Sequence, residues 1–311
     1  AFRTFFFQPF KIPTGSMQPT LYGITHNSME ESEEMPNFGA RMIDRLKGYS
    51  YHSLKAEGNW TLLDYDPPKR VIPLVSKQTL VFIDNINNKQ IKKTIWFPPT
   101  KAGEPLIPKY INKHDSFKKG EYVYKIKVKT GDHLFVNRMT YNFRNPRRGD
   151  IAVFQIRRDF VSSPPPINFD GSCAVPLQKT FYIKRLVALG TENVAIGEDR
   201  HLIINGKRLS SSNPGFEFVY SRSNGPQKTP KPLLNSVHSG HSARSQYNGE
   251  NLFERGIIYT VPDGYYLMMG DNTYSSADSR FWGGIQKERV IGHSSFVYWP
   301  PLSPRFGWSH R

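Results

Sequence analysis

The chain has 311 residues, enough to bury a substantial core in one large domain or in two to three lobes. Its 24 glycines and 24 prolines favour a turn-rich, mostly β architecture over a helical bundle, and its one cysteine, Cys173, excludes a disulfide within the chain. A net charge of +16 and a pI near 9.8 predict attraction to polyanions, but no zinc-finger spacing, aromatic RNA-binding repeat or basic region with heptads accompanies that charge, so nucleic acid is not an expected partner.

In chain order, Phe5-Phe6-Phe7 come almost directly after Ala1. No run of about 18 apolar residues follows anywhere, so nothing in this sequence spans a bilayer as a helix. We expect a piece of a longer protein, with residues 1–22 forming an entering strand and then a turn. That turn is Ile12-Pro13-Thr14-Gly15-Ser16-Met17-Gln18-Pro19-Thr20-Leu21, in which Pro13 and Pro19 each bias the preceding residue away from helix. Residues 23–129 read as a partly ordered insertion. They hold an acidic patch (Glu30, Glu31, Glu33, Glu34), a β run at Thr79–Ile83 and the patch Trp96-Phe97-Pro98-Pro99. They also hold Tyr122–Lys129, whose alternation of apolar and basic residues predicts a half-buried strand with one charged face.

Residues 130–190 are sharper in pattern. Two turn-to-strand units, from Gly131 and from Arg147, precede a loop with Pro164, Pro165 and Pro166 and a strand over 180–189. A second β-rich lobe is expected over 191–255, where Val194-Ala195-Ile196, Leu202-Ile203-Ile204 and Asn205-Gly206 give a hairpin signal. Residues 210–250, rich in Ser, Asn, Gly and Pro, predict long loops. Over 256–311 the chain returns to strands at Gly256–Val261, Tyr265–Met269 and Val290–Trp299. There is no internal repeat and no long amphipathic helix. The whole predicts an all-β, mainly antiparallel fold.

Two residues stand out chemically. Ser16 sits on a turn stiffened by Gly15 and Pro19, and Lys184 lies in Phe181-Tyr182-Ile183-Lys184-Arg185-Leu186-Val187. By itself the first string is an ordinary turn, and a strand lysine ordinarily carries its ammonium to solvent. A buried lysine is different: loss of solvation lowers its pKa by up to about 3–5 units and makes it a base for a nearby serine, with no histidine required. Alternation places Lys184 on the side of Tyr182, Leu186 and Ala188, with Arg185 opposite in a structural ion pair.

Together with Gly270-Asp271-Asn272 and Ser276-Ala277-Asp278-Ser279-Arg280, these segments resemble, in order, the motifs of the type I signal peptidases. Those are membrane-bound serine proteases that remove signal peptides from exported proteins. The resemblance implies Ser16 as nucleophile, Lys184 as general base and Ser276 as the hydroxyl that orients the lysine. It implies an oxyanion hole from the Ser16 N–H and the Thr14 hydroxyl, where the best-known members carry serine. Phe10, Ile12, Pro13, Met17, Leu21, Val153 and Ile183 are then expected to line pockets for small side chains, as in Ala-x-Ala substrates. Asp278 and Arg280, two residues apart, would pair on one face of an extended segment, while Asp271 and Asn272 read as turn residues, with a further part in the site left open. No metal or organic cofactor is implied. The expected partners are preprotein signal peptides and anionic membrane lipid, the latter through the basic surface and Tyr141, Phe143, Trp299, Phe306 and Trp308. The expected place is the outer, periplasmic face of the cytoplasmic membrane, with the membrane helix upstream of residue 1. The resemblance covers about half the chain and says nothing of 23–129.

Other classes fit less well. No Gly-x-Ser-x-Gly elbow supports a Ser-His-Asp hydrolase. His238 and His241 flank a Ser-Gly pair without a second ligand pair, and no His-Glu-x-x-His occurs. A self-cleaving repressor would need an N-terminal DNA-binding helix pair. An organellar or thylakoid processing peptidase remains open on motifs alone, as does a catalytically inactive basic module that docks on anionic membranes.

Overall fold

The computed structural model describes residues 6–72, 75–101, 103–156, 180–220, 240–242, 253 and 257–308. The loop at Pro164–Pro166, Cys173, His238, Gly256 and most of 210–250 lie outside the described residues. The chain forms two compact units, one of residues 1–23 with 131–311 and one of residues 24–130. Both are built of antiparallel strands, so the fold is all-β.

The first unit is organised by a seven-stranded sheet. Its order is Phe7–Lys11, His133–Asn137, Val290–Trp299, Ile151–Ile156, Thr180–Ala188, Tyr265–Met269 and Ile285–Gln286. The central strand shows why its sequence is a strand. Ile151 and Val153 pack into one apolar cluster, while Ala152, Phe154 and Ile156 pack into another, so period-2 alternation feeds two faces. Lys184 lies opposite Ala152 and Ile183 opposite Val153, which sends these two neighbours to different faces. Farther along, the pairing with Tyr265–Met269 shifts register between Leu186 and Ala188. That bulge turns Ala188 away from the side of Tyr182 and Leu186, where alternation had placed it, and Ala188 packs with Val187 instead.

Where a second lobe is expected over 191–255, strands join one from beyond that range in a four-stranded sheet, in the order Lys207–Arg208, Leu202–Ile204, Asn193–Ile196, Tyr259–Thr260. The Asn205-Gly206 turn has φ of 49° and 77°, the left-handed pair a type I′ turn requires. This sheet does not stand apart from the rest of its unit, because its core of Val194, Leu202 and Ile204 is continuous with Val187, Leu267 and Met269. Part of the predicted loop region is also ordered, since Glu217–Tyr220 is a short helix whose Val219 and Tyr220 are buried.

The second unit corrects the expectation of a partly ordered insertion. Val75–Asp84 is central to a five-stranded sheet, and Tyr122–Lys129 is central to a three-stranded one. Leu62, Leu80, Phe82, Leu106, Ile107 and Ile126 form a core of its own. The Tyr122–Lys129 strand does not keep all its lysines on a charged face. Lys125 is buried, and its ammonium donates to the carbonyls of Glu30, Glu31 and Glu33. The acidic patch thus supplies backbone acceptors to a buried cation. Phe38–Leu46 is a helix capped by the Asn37 side chain, an element the sequence reading missed.

At the junction in the first unit, Asp132 donates its N–H to Tyr22 O at 2.8 Å and accepts the Tyr22 N–H on Oδ2 at 2.7 Å. The buried Asp132 carboxylate is neutralised by Arg305, at 2.7 and 2.9 Å. The points where the chain leaves and re-enters this unit are therefore clasped together.

Candidate active site

Residues 15–21 close into a turn through Gln18 N donating to Gly15 O (3.1 Å) and Leu21 N donating to Met17 O (2.9 Å). Met17 and Leu21 anchor that turn in the core. A second loop, following Tyr265–Met269, holds it from the other side. Asn272 donates its backbone N–H to Ser16 O at 3.0 Å and its side-chain amide to Gly15 O at 3.1 Å. Gly270 permits this approach, because a Cβ there would meet Ser16 O at 2.5 Å and overlap the Ser276 hydroxyl.

Ser16 is 6% exposed and Lys184 3%. The Lys184 ammonium donates to Ser16 Oγ at 2.6 Å, joining residues 168 positions apart. Burial pushes the lysine pKa down to about 8; Asp278 and Asp271 pull it up and Arg280 pushes it down further, both weaker than burial. An amine so placed is uncharged in about a tenth of molecules at pH 7 and in about half at pH 8, and it lies within proton-transfer reach of a hydroxyl.

Two buried ion pairs support the dyad. Arg185 donates through Nε to Asp271 Oδ1 (2.8 Å) and through Nη2 to Asp271 Oδ2 (2.6 Å), while Nη1 reaches Gly149 O at 2.7 Å. Thr20, four residues past Ser16, donates to Asp271 Oδ2 at 2.5 Å. Asp271 and Asn272 are thus more than turn residues: one fixes the strand arginine and the other the serine turn. The sequence left such a part open, since Asp-Asn after glycine by itself signals only a turn. Asp278 and Arg280 do pair, at 2.8 Å for both Nε to Oδ1 and Nη2 to Oδ2. The segment is not extended, however; Asp278 caps the short helix Ser279–Trp282. Burial alone would raise the Asp278 pKa, but Arg280 and the Gly270 N–H hold it below the usual carboxylate range. Arg280 also donates to Thr273 O and Ser242 O at 2.7 Å each, bracing the loop that carries Ser276.

Ser276 departs from expectation. Its hydroxyl is buried and forms no hydrogen bond of good geometry, to Lys184 or any other described residue. It is close enough to Asp278 to help keep that carboxylate ionised. The Ser276 carbonyl accepts from Arg280 at 3.3 Å. Thr14 lies exposed on the turn two residues before Ser16.

The expected pocket residues divide. Ile12, Met17, Leu21 and Val153 are core, packed with Leu134, Val136, Ile151 and Val297, and offer little surface to a ligand. Phe10, Pro13 and Ile183 remain partly exposed. They are joined by Phe181, whose ring meets Phe10 edge-on at 5.7 Å. Phe181 was readable from the sequence, since it stands two residues before Ile183 and shares its face.

A buried serine bonded to a desolvated lysine on an antiparallel β scaffold is the constellation of the hydrolases that use lysine in place of histidine. The chain belongs to the family described as signal peptidase, peptidase S26, whose profile matches residues 124–299. It is similar to signal peptidase I of Aquifex aeolicus, 28% identical over 210 residues that cover 56% of this chain and 73% of that protein. It is also similar to signal peptidase I of Pseudomonas fluorescens, at 28% identity over 55% of this chain and 60% of that protein. A probable thylakoidal processing peptidase of Arabidopsis thaliana is 28% identical over 55% of this chain and 34% of its own. The solved signal peptidase I of Enterococcus faecalis V583 matches 49% of this chain and 98% of its own, at 26% identity and a TM-score of 0.28.

Proposed function

We propose that this protein is a signal peptidase I that cleaves preproteins after small residues of Ala-x-Ala type, with Ser16 as nucleophile and neutral Lys184 as general base. The observation that carries this reading is the 2.6 Å bond between two buried side chains, one an amine with its pKa near 8. As Ser16 Oγ bonds to the scissile carbonyl carbon, its proton passes to Lys184 Nζ. The C–N bond then breaks, and Lys184 returns the proton to the leaving amine. A water, deprotonated by the same amine, attacks the acyl carbon, and the proton goes back to Ser16 as the ester opens. The Ser16 N–H and the exposed Thr14 hydroxyl are the donors assigned to the developing oxyanion. The partly exposed wall of Phe10, Pro13, Ile183 and Phe181 is the surface assigned to small side chains.

The site is assigned to the outer face of the cytoplasmic membrane, docked on anionic lipid. Among the described residues no helix is long and apolar enough to cross a bilayer. Exposed Phe143, Phe306 and Trp308 and the net charge of +16 support the lipid contact.

The test is cleavage of an Ala-x-Ala preprotein in detergent. Ser16→Ala and Lys184→Ala are each expected to reduce kcat/KM by at least a thousandfold. For the native protein, kcat/KM should rise tenfold per pH unit below about pH 8 and level off above it, because the free enzyme must lose one proton from Lys184. Cleavage that survives either substitution overturns the proposal.

A further inference from the structure

We propose that the first unit carries a phosphate-binding cleft, separate from the Ser16–Lys184 pair, that takes the phosphate of an anionic phospholipid headgroup. The cleft holds about 460 Å³, the size range of small-ligand sites. Arg144, Arg147 and Arg148 line it along one short stretch of chain, with Thr140, His293 and Trp308 around them. Its floor is built closely. Gly149 and Gly215, both at positive φ, press backbone on backbone, and a Cβ on Gly149 would strike Pro214 O.

The charges inside are unequally committed. Arg144 is bound at both ends to Asp150, the one carboxylate lining the cleft, at 2.7 and 3.1 Å. Arg148 is paired with Glu192, yet its buried Nε–H has no acceptor. Arg147 is exposed, and among the described residues its guanidinium makes no hydrogen bond or ion pair. One uncommitted guanidinium in a cleft lined by three arginines, whose only lining acid is already neutralised, is a donor awaiting an anion. A planar fork of this kind suits phosphate oxygens.

The surroundings favour lipid as the source of that phosphate. Phe143, one turn after Thr140, is 80% exposed, and Trp308 in the cleft wall is 50% exposed. Aromatic rings around a basic pocket belong at the boundary between headgroups and acyl chains. This inference rests on the membrane contact proposed above, but not on cleavage.

The experiment measures binding of the whole chain to phosphatidylglycerol and phosphatidylcholine vesicles by sedimentation, and to inorganic phosphate by calorimetry. Arg147→Gln is compared with Lys92→Gln, which removes the same charge from an exposed site in the other unit. Arg147→Gln is expected to weaken phosphatidylglycerol binding at least fivefold, with Lys92→Gln changing it less than twofold, and phosphatidylcholine should bind weakly throughout. If Arg147→Gln abolishes phosphate binding but leaves vesicle binding intact, the cleft takes a soluble phosphate and the lipid assignment is overturned. Equal losses in the two variants, or none, overturn the site itself. Ser16→Ala keeps the two readings apart, since it should abolish cleavage and leave vesicle binding unchanged.

Discussion

Holding Lys184 in a dry site has a thermodynamic cost that can be measured. Its pKa is about 8 in the folded protein against an ordinary 10.5, so between these values the unfolded chain binds more protons. Stability should therefore rise with pH across that window, and below pH 8 the buried charge costs about 3 kcal/mol at 1.36 kcal/mol per unit. Lys184→Met removes that cost and also removes a hydrogen bond worth about 1 kcal/mol. The variant should be more stable than the native protein at pH 7 by about 2 kcal/mol, with the advantage fading as pH approaches 10.5; paired denaturant melts at pH 7 and 10 read this directly. Asp271 has the opposite sign. Its removal strands Arg185 with no counter-ion in the core, so Asp271→Ala should lose about 3–5 kcal/mol of unfolding free energy.

Two segments meet at Ser16, the turn that carries it and the loop from Gly270 to Arg280. Gly270→Ala drives a methyl against Ser16 O and the Ser276 hydroxyl, so the loop must back away and release the Asn272 bonds. Cleavage should fall at least a hundredfold in kcat, while the melting temperature drops only a few degrees; an unaffected kcat refutes the loop's role in positioning the serine. What the sequence reveals here is the local part. The turn at Gly15-Ser16, the strand bearing Lys184 and the hairpin at Asn205-Gly206 all follow from backbone preferences and alternation. Alternation fails at Ala188, where a bulge that depends on the neighbouring strand flips the side chain. It fails at Lys125, because carbonyls from residues 30–33 meet the ammonium from a distant segment. Whether Met17 and Leu21 line a pocket or fill a core depends on Val136 and Val297 across the sheet, which no local pattern contains. For the same reason Ser276 can occupy its place in the motif while its hydroxyl points elsewhere.

The family profile starts at residue 124, so it includes Lys184 and excludes Ser16. Only the folded chain rejoins them, across a compact unit of residues 24–130 with a core of its own. Replacing residues 24–130 by a short glycine-serine linker should leave the first unit folded and the Ser16–Lys184 chemistry intact on a detergent-soluble peptide, with kcat/KM within about tenfold of the native value. Loss of cooperative unfolding in that variant would show that the two units cannot be separated. The pairing of Tyr22 with Asp132, locked by Arg305, has a broader consequence. It makes the junction a doorway whose two jambs stand side by side, indifferent to what lies beyond. Any folded tenant with neighbouring ends can be exchanged there, so the molecule can acquire new surfaces without the serine and lysine moving at all.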